Sequence, residues 1–219
     1  MDKLVAWFHD REVGQLSVNS DGRWAFQYAS AWLESARFAV SPHMPLQTAG
    51  KPDIAHHRTV EWFFDNLLPE GAIREALAQR QHINDKDTWG LLSIHGRDTA
   101  GALSLLPAGI QPEADEQLRP ITIDELARRV AETKQGIPLI ASNGLPRMSL
   151  AGAQEKIALR VNADGTMCIP DGSAVSTHIL KPENKNSLYP FCPANEWFCM
   201  NLARDIGLSA PSSSLINLP

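Results

Sequence analysis

Residues suited to holding an anion gather in the last third of this chain. The run Ser149-Leu150-Ala151-Gly152-Ala153-Gln154-Glu155-Lys156 is a loop of small side chains that ends in a lysine. It leads directly into the alternating segment Lys156-Ile157-Ala158-Leu159-Arg160-Val161. Small side chains let backbone N–H groups approach an anion closely, and the adjoining lysine supplies a point charge. A second lysine, Lys181, closes the apolar run Thr177-His178-Ile179-Leu180. Further on, Glu196 begins a helical pattern, where a carboxylate can orient a lysine or simply complement the helix dipole.

Each feature also has a plainer meaning. A small-residue loop before a strand is usually a turn, and short motifs match by chance often. Lys181 beside Pro182 also fits a solvated strand end. Ser149 can bond its own loop backbone, as serines before turns do. His43, His56, His57, His82, His95 and His178 have no metal-ligand spacing, and the pair His56-His57 fits the solvated start of a helix. The six tryptophans are scattered, as core residues are. Gly96-Arg97-Asp98 reads as a turn held by its charges, and Arg128-Arg129 reads as an exposed helix face or a weak phosphate contact.

The elements that must position these residues form an α+β pattern. Leu4 to Phe8, Val13 to Leu16 and Trp24 to Phe26 read as strands, with Asp21-Gly22 turning the chain before the third. Ser41 to Pro52 reads as an irregular connection. Val60, Phe63, Phe64, Leu67 and Leu68 recur at helical spacing. Pro69-Glu70-Gly71 ends that helix, and Ile73 and Leu77 belong to the next. Asp87 can cap a third through Trp89, Leu91 and Leu92. Ala102 to Leu106 reads as a strand, and Gly109 to Pro120 as an acidic, proline-containing connection. Thr122 with Glu125 forms a capping box for a helix to about Glu132. Asn162-Ala163-Asp164-Gly165 is a hairpin turn. Phe198, Cys199, Leu202, Ala203 and Ile206 make one helix face, which Gly207 is placed to end. The expected division is 1–108, β-rich with helices, and 109–219, a helix followed by antiparallel strands and a closing helix.

Composition narrows the function classes. The 219 residues are 43% hydrophobic and 21% charged, ordinary for a soluble globular protein. The net charge of −5 speaks against a general nucleic-acid or anionic-membrane surface. No apolar run reaches membrane-spanning length, and the N-terminus is broken by charge too early for a secretory signal. Three cysteines, Cys168, Cys192 and Cys199, suit neither a disulfide framework nor a zinc site, so a reducing, cytoplasmic setting is expected.

Three blocks resemble the HipA family of bacterial serine/threonine protein kinases, the toxins of HipA–HipB-type toxin–antitoxin pairs. They are Phe63-Phe64-Asp65-Asn66-Leu67-Leu68-Pro69-Glu70-Gly71 with Arg74 to Ala78, then Gly96 to Leu103, then Ser149 to Lys156 with Ser176 to Lys181 and Asn195 to Met200. They stand in the family's order and cover most of the chain. The resemblance implies an N-terminal subdomain followed by a kinase-like N-lobe. It also implies that the catalytic aspartate and the Mg2+ ligands belong to a helical C-lobe, for which no residue here is a candidate.

By that resemblance Ala151, Gly152, Ala153, Gln154, Glu155 and Lys156 contact the phosphates of ATP, and Lys181 pairs with them. Glu196 is then the candidate carboxylate that orients Lys181, as in the kinase lysine–glutamate pair. Ser149 corresponds to a site of autophosphorylation, which would place a charge of about −1.5 to −2 beside the loop and compete with ATP. Partners implied are a HipB-like antitoxin, which brings DNA indirectly, and a protein substrate such as an aminoacyl-tRNA synthetase. Two function classes follow. One is the N-terminal portion of a toxin kinase. The other is a catalytically incomplete binding or regulatory subunit that docks on a separate kinase lobe or on the antitoxin. Either way, half a kinase is expected to expose an apolar face.

Overall fold

The computed structural model describes residues 3–35, 38–46, 56–112, 115–134, 154–172, 174–183 and 190–219. The fold is α+β, with two four-stranded sheets and six helices among these residues. The chain divides into two compact units, one formed mainly by Met1–Gln117 with short later segments, the other by most of Leu118–Pro219.

In the first unit, β1 (Lys3–Phe8), β2 (Arg11–Val18), β3 (Trp24–Tyr28) and β4 (Ser104–Pro107) form a sheet in the order β3-β2-β1-β4. All three neighbouring pairs run antiparallel. The turn before β3 uses Gly22 at φ 72°, its N–H bonded to Asn19. Alternation puts Trp24, Phe26 and Tyr28 on the buried face of β3. On that face lie α2 (His57–Asp65), with Phe64 against Phe26, and α4 (Thr88–His95), with Trp89 edge-on to Trp24.

Between them runs α3 (Gly71–Arg80). Arg74 on α3 donates to Asp65 Oδ1 at 2.8 Å, to Thr88 Oγ1 at 3.1 Å and to the Asp85 carbonyl at 2.5 Å, so one guanidinium links three segments. Asp87 caps α4 by accepting the Gly90 N–H at 2.9 Å. Gly96, at its end, lies where a Cβ would sit 2.4 Å from the Leu92 carbonyl and 2.7 Å from the Leu105 Cβ. No larger residue fits where β4 passes the helix.

In the second unit, β5 (Glu116–Pro120), β7 (Met167–Gly172), β6 (Ile157–Val161) and β8 (His178–Leu180) form a sheet in the order β5-β7-β6-β8. Helix α5 (Ile123–Lys134) packs Leu126 and Val130 onto Ile121, Ile157, Leu159 and Ile169, and Leu218 joins the same cluster. The closing helix is α6 (Cys192–Asp205). Gly207, at φ 85°, ends it in a Schellman motif, with Gly207 N–H on Arg204 and Leu208 N–H on Ala203.

Three details depart from the sequence reading. Residues Ser30–Ser35 form a short helix, α1, anchored by the buried Trp32. The expected connection before Pro120 contains strand β5. Arg129 is 4% exposed and donates to Glu125 at 2.6 Å, so it faces inward, while Arg128 pairs with Glu132 on the surface.

Candidate functional site

The ladder between β6 and β8 sets the site. Its antiparallel register pairs Ile157 with Leu180, Ala158 with Ile179 and Leu159 with His178. Lys156 precedes the first of these pairs on one strand, and Lys181 follows it on the other. Two lysines distant in sequence therefore leave the sheet at the same end, from neighbouring strands. Gln154, Glu155 and Lys156 lead into the ladder and are all half-buried.

Lys181 has a fixed partner. Its Nζ donates to Glu196 Oε1 on α6. Both side chains are about a third exposed, at 31% and 36%. A pair this open to water contributes about 1 kcal/mol at most, so it orients the ammonium more than it stabilises the fold. Glu196 lies beyond the first turn of α6, which carries no acidic residue. That placement removes the dipole explanation for Glu196, because the dipole effect fades after the first turn.

Sequence reasoning missed a second tie between the same segments. Glu183, two positions after Lys181, accepts the backbone N–H of Cys192 at 3.1 Å. No local motif announces it, since the cap comes from a residue well ahead of the helix. The residue before the helix, Phe191, has left-handed backbone at φ 61° and gives no side-chain cap. Ser149 and Ala151 to Ala153, expected to complete the loop, lie outside the described residues.

His56 caps α2 by accepting the Arg58 N–H, and its ring lies 4.3 Å from that of His57. Among the described residues no three His, Cys, Asp or Glu side chains gather to hold a metal ion. The exposed apolar side chains of this unit concentrate on and after α6, with Phe198, Leu202, Ile206 and Leu208 each about half exposed or more. Among the described residues no helix is long and apolar enough to cross a membrane.

Known proteins share this arrangement of elements. Residues 4–106 match the HipA N-terminal domain and residues 148–219 the HipA-like C-terminal domain. The Sinorhizobium fredii protein Y4mE is 37% identical over 212 residues, covering 94% of this chain and 48% of its own length. The serine/threonine-protein kinase toxin HipA of Shewanella oneidensis is 31% identical over 210 residues, covering 95% of this chain and 45% of its own length. A chain from the complex of Shewanella oneidensis HipA, HipB and operator DNA superposes with a TM-score of 0.77 at 29% identity, covering 99% of this chain and 48% of that one. This chain spans about half the length of the relatives it matches. The two domain matches, in order along one chain, and these full-span similarities show that it belongs to the HipA family.

Proposed function

We propose that this chain is the N-terminal portion of a HipA-like toxin serine/threonine kinase, which binds the phosphates of ATP for transfer to a protein serine. The observation that supports the reading is the ladder whose end pair, Ile157 and Leu180, adjoins Lys156 and Lys181 in sequence, with Lys181 hydrogen-bonded to Glu196. A cationic pair of this kind fits a polyphosphate, with amides of Ala151, Gly152 and Ala153 as further donors. In this reading residues 1–108 are the N-terminal subdomain and 109–219 the linker helix and kinase N-lobe. Ser149 is the regulatory phosphorylation site, where added charge would occupy the place of a nucleotide phosphate. Mg2+ is assigned to no residue here, in keeping with a C-lobe that supplies its ligands. A cytoplasmic setting and a HipB-like antitoxin partner complete the proposal. The latter draws on the HipA–HipB–DNA complex that this chain resembles.

The test is calorimetric titration of the chain with ATP and magnesium. Lys181→Ala should weaken binding at least about tenfold, or ~1.4 kcal/mol. Equal affinity of the two proteins would overturn the phosphate role. Incubated alone with labelled ATP, the chain should transfer nothing to Ser149, and robust transfer would show that it carries its own catalytic carboxylate.

The exposed face of α6 favours a second reading, a binding subunit that docks on a separate kinase lobe or on the antitoxin. Phosphoryl transfer that appears only when a helical lobe is supplied supports docking on that lobe. Stable capture by a HipB-like protein without transfer supports a regulatory subunit.

A further inference from the structure

The segment that leaves β8, Lys181-Pro182-Glu183, meets α6 at two points. Lys181 pairs with Glu196, and the Glu183 carboxylate accepts the Cys192 N–H at 3.1 Å. Cys192 is the first residue of α6, so its N–H is one of the donors that a helix cannot satisfy internally. The cap position itself offers no help, because Phe191 makes no side-chain bond there. Its left-handed backbone, rare for a bulky residue, needs holding from outside. A carboxylate at this end also faces the positive pole of the helix.

Cys192 and Glu196 stand four positions apart, one turn along the same helix face. The two contacts are therefore stacked, one fixing where α6 starts and the next meeting Lys181. Pro182, between Lys181 and Glu183, is buried and conformationally restricted. Their spacing along the strand exit is thus also constrained.

We propose that Glu183 is a positioning residue for the Lys181–Glu196 pair. By binding the Cys192 amide it sets the axial placement of α6, and so brings the Glu196 carboxylate to the Lys181 ammonium. Its consequence for nucleotide binding rests on the phosphate reading above, whereas its effect on the pair does not.

The experiment is limited acylation of lysine amines in the full chain, read by mass spectrometry at Lys181 against the exposed Lys86. Glu196→Ala should raise Lys181 acylation several-fold, because the paired carboxylate shields the amine. Glu183→Ala should raise it comparably. Glu183→Gln should stay near wild type, since its amide oxygen can still accept the Cys192 N–H, and this rescue separates positioning from general unfolding. If Glu183→Ala leaves Lys181 as protected as in wild type while Glu196→Ala exposes it, the proposal is wrong. Equal acylation in wild type and Glu196→Ala also defeats it, since there would be no pair to position. A parallel series with ATP tests the other reading. Failure of ATP to protect Lys181, with the Glu183→Ala effect intact, would remove the phosphate role and leave the positioning role standing.

Discussion

Lys181, at the exit of β8, is hydrogen-bonded to Glu196 in the second turn of α6, so a strand and a helix carry one charge assembly between them. The pair is a third exposed, and solvent screens it. Its value lies in direction, and the substitutions should show it. Glu196→Gln is expected to lower ATP affinity severalfold while leaving thermal stability within about 1 kcal/mol of wild type. Calorimetry and a melting curve on the same sample check both halves. A large stability loss with unchanged affinity would mark the pair as structural.

Arg74 carries a different burden. It bridges Asp65, Thr88 and the Asp85 carbonyl, and Thr88 in turn donates to Asp65 at 2.5 Å. Arg74→Met keeps the aliphatic stem but strands the acceptors. The expected loss is about 1–2 kcal/mol from the first unit, on the scale of partly buried hydrogen bonds to a charged group. Tryptophan fluorescence in a urea titration reads it, since Trp7, Trp24, Trp32, Trp62 and Trp89 all belong to that unit.

Gly96→Ala places a methyl group against the Leu92 carbonyl and the Leu105 side chain and carbonyl, all within 3 Å. Overpacking against backbone cannot be relieved by a rotamer change. A cost of about 1–3 kcal/mol is expected in the same titration.

The first unit should also weaken in mild acid. Burial, with Arg80 nearby, holds the His95 imidazole below its ordinary value of 6.5. Its Nε2 is buried and has no hydrogen-bond partner among the described residues. The unfolded chain therefore takes up this proton at a higher pH than the folded one. Stability is complete above 6.5, falls as pH drops below it, and stops falling once the folded imidazole is also charged. Urea midpoints between pH 8 and 5 should show the decline, and His95→Leu should flatten it. In the second unit, burial raises Glu125 but hydrogen bonds from Arg129 and Arg119 outweigh it, so its carboxyl is lowered. Its contribution is lost only as pH falls below 4.5.

Much of this fold was legible because local chemistry and tertiary packing agree. Helix α2 shows helical periodicity, Asp87 caps α4, and Gly207 ends α6 as its sequence position predicts. The capping box at Thr122 was half right. Thr122 accepts the Glu125 N–H at 3.1 Å, but the Glu125 carboxylate bonds Arg119 and Arg129. Strand β5 was missed because every residue in Glu116–Pro120 is exposed, so no alternation marks it. Helix α1 is too short to show a period, and Trp32 alone anchors it. At the candidate site the lysines and Glu196 were legible as residue types in order. The register that puts Lys156 and Lys181 at the same end of the ladder was not, and neither was Glu183, because both depend on where separate segments meet.

The core of the second unit has a consequence for biosynthesis. Ile121, near its start, and Leu218, much later, pack into one cluster. Synthesis runs from the N-terminus at about 5–20 residues per second, so the 218 − 118 = 100 residues from Leu118 take about 5–20 s to make. The sheet and helices of residues 3–107 can fold on the ribosome in that interval. The second unit keeps its Ile157, Leu159 and Ile169 surface without the Leu218 side chain until that residue emerges.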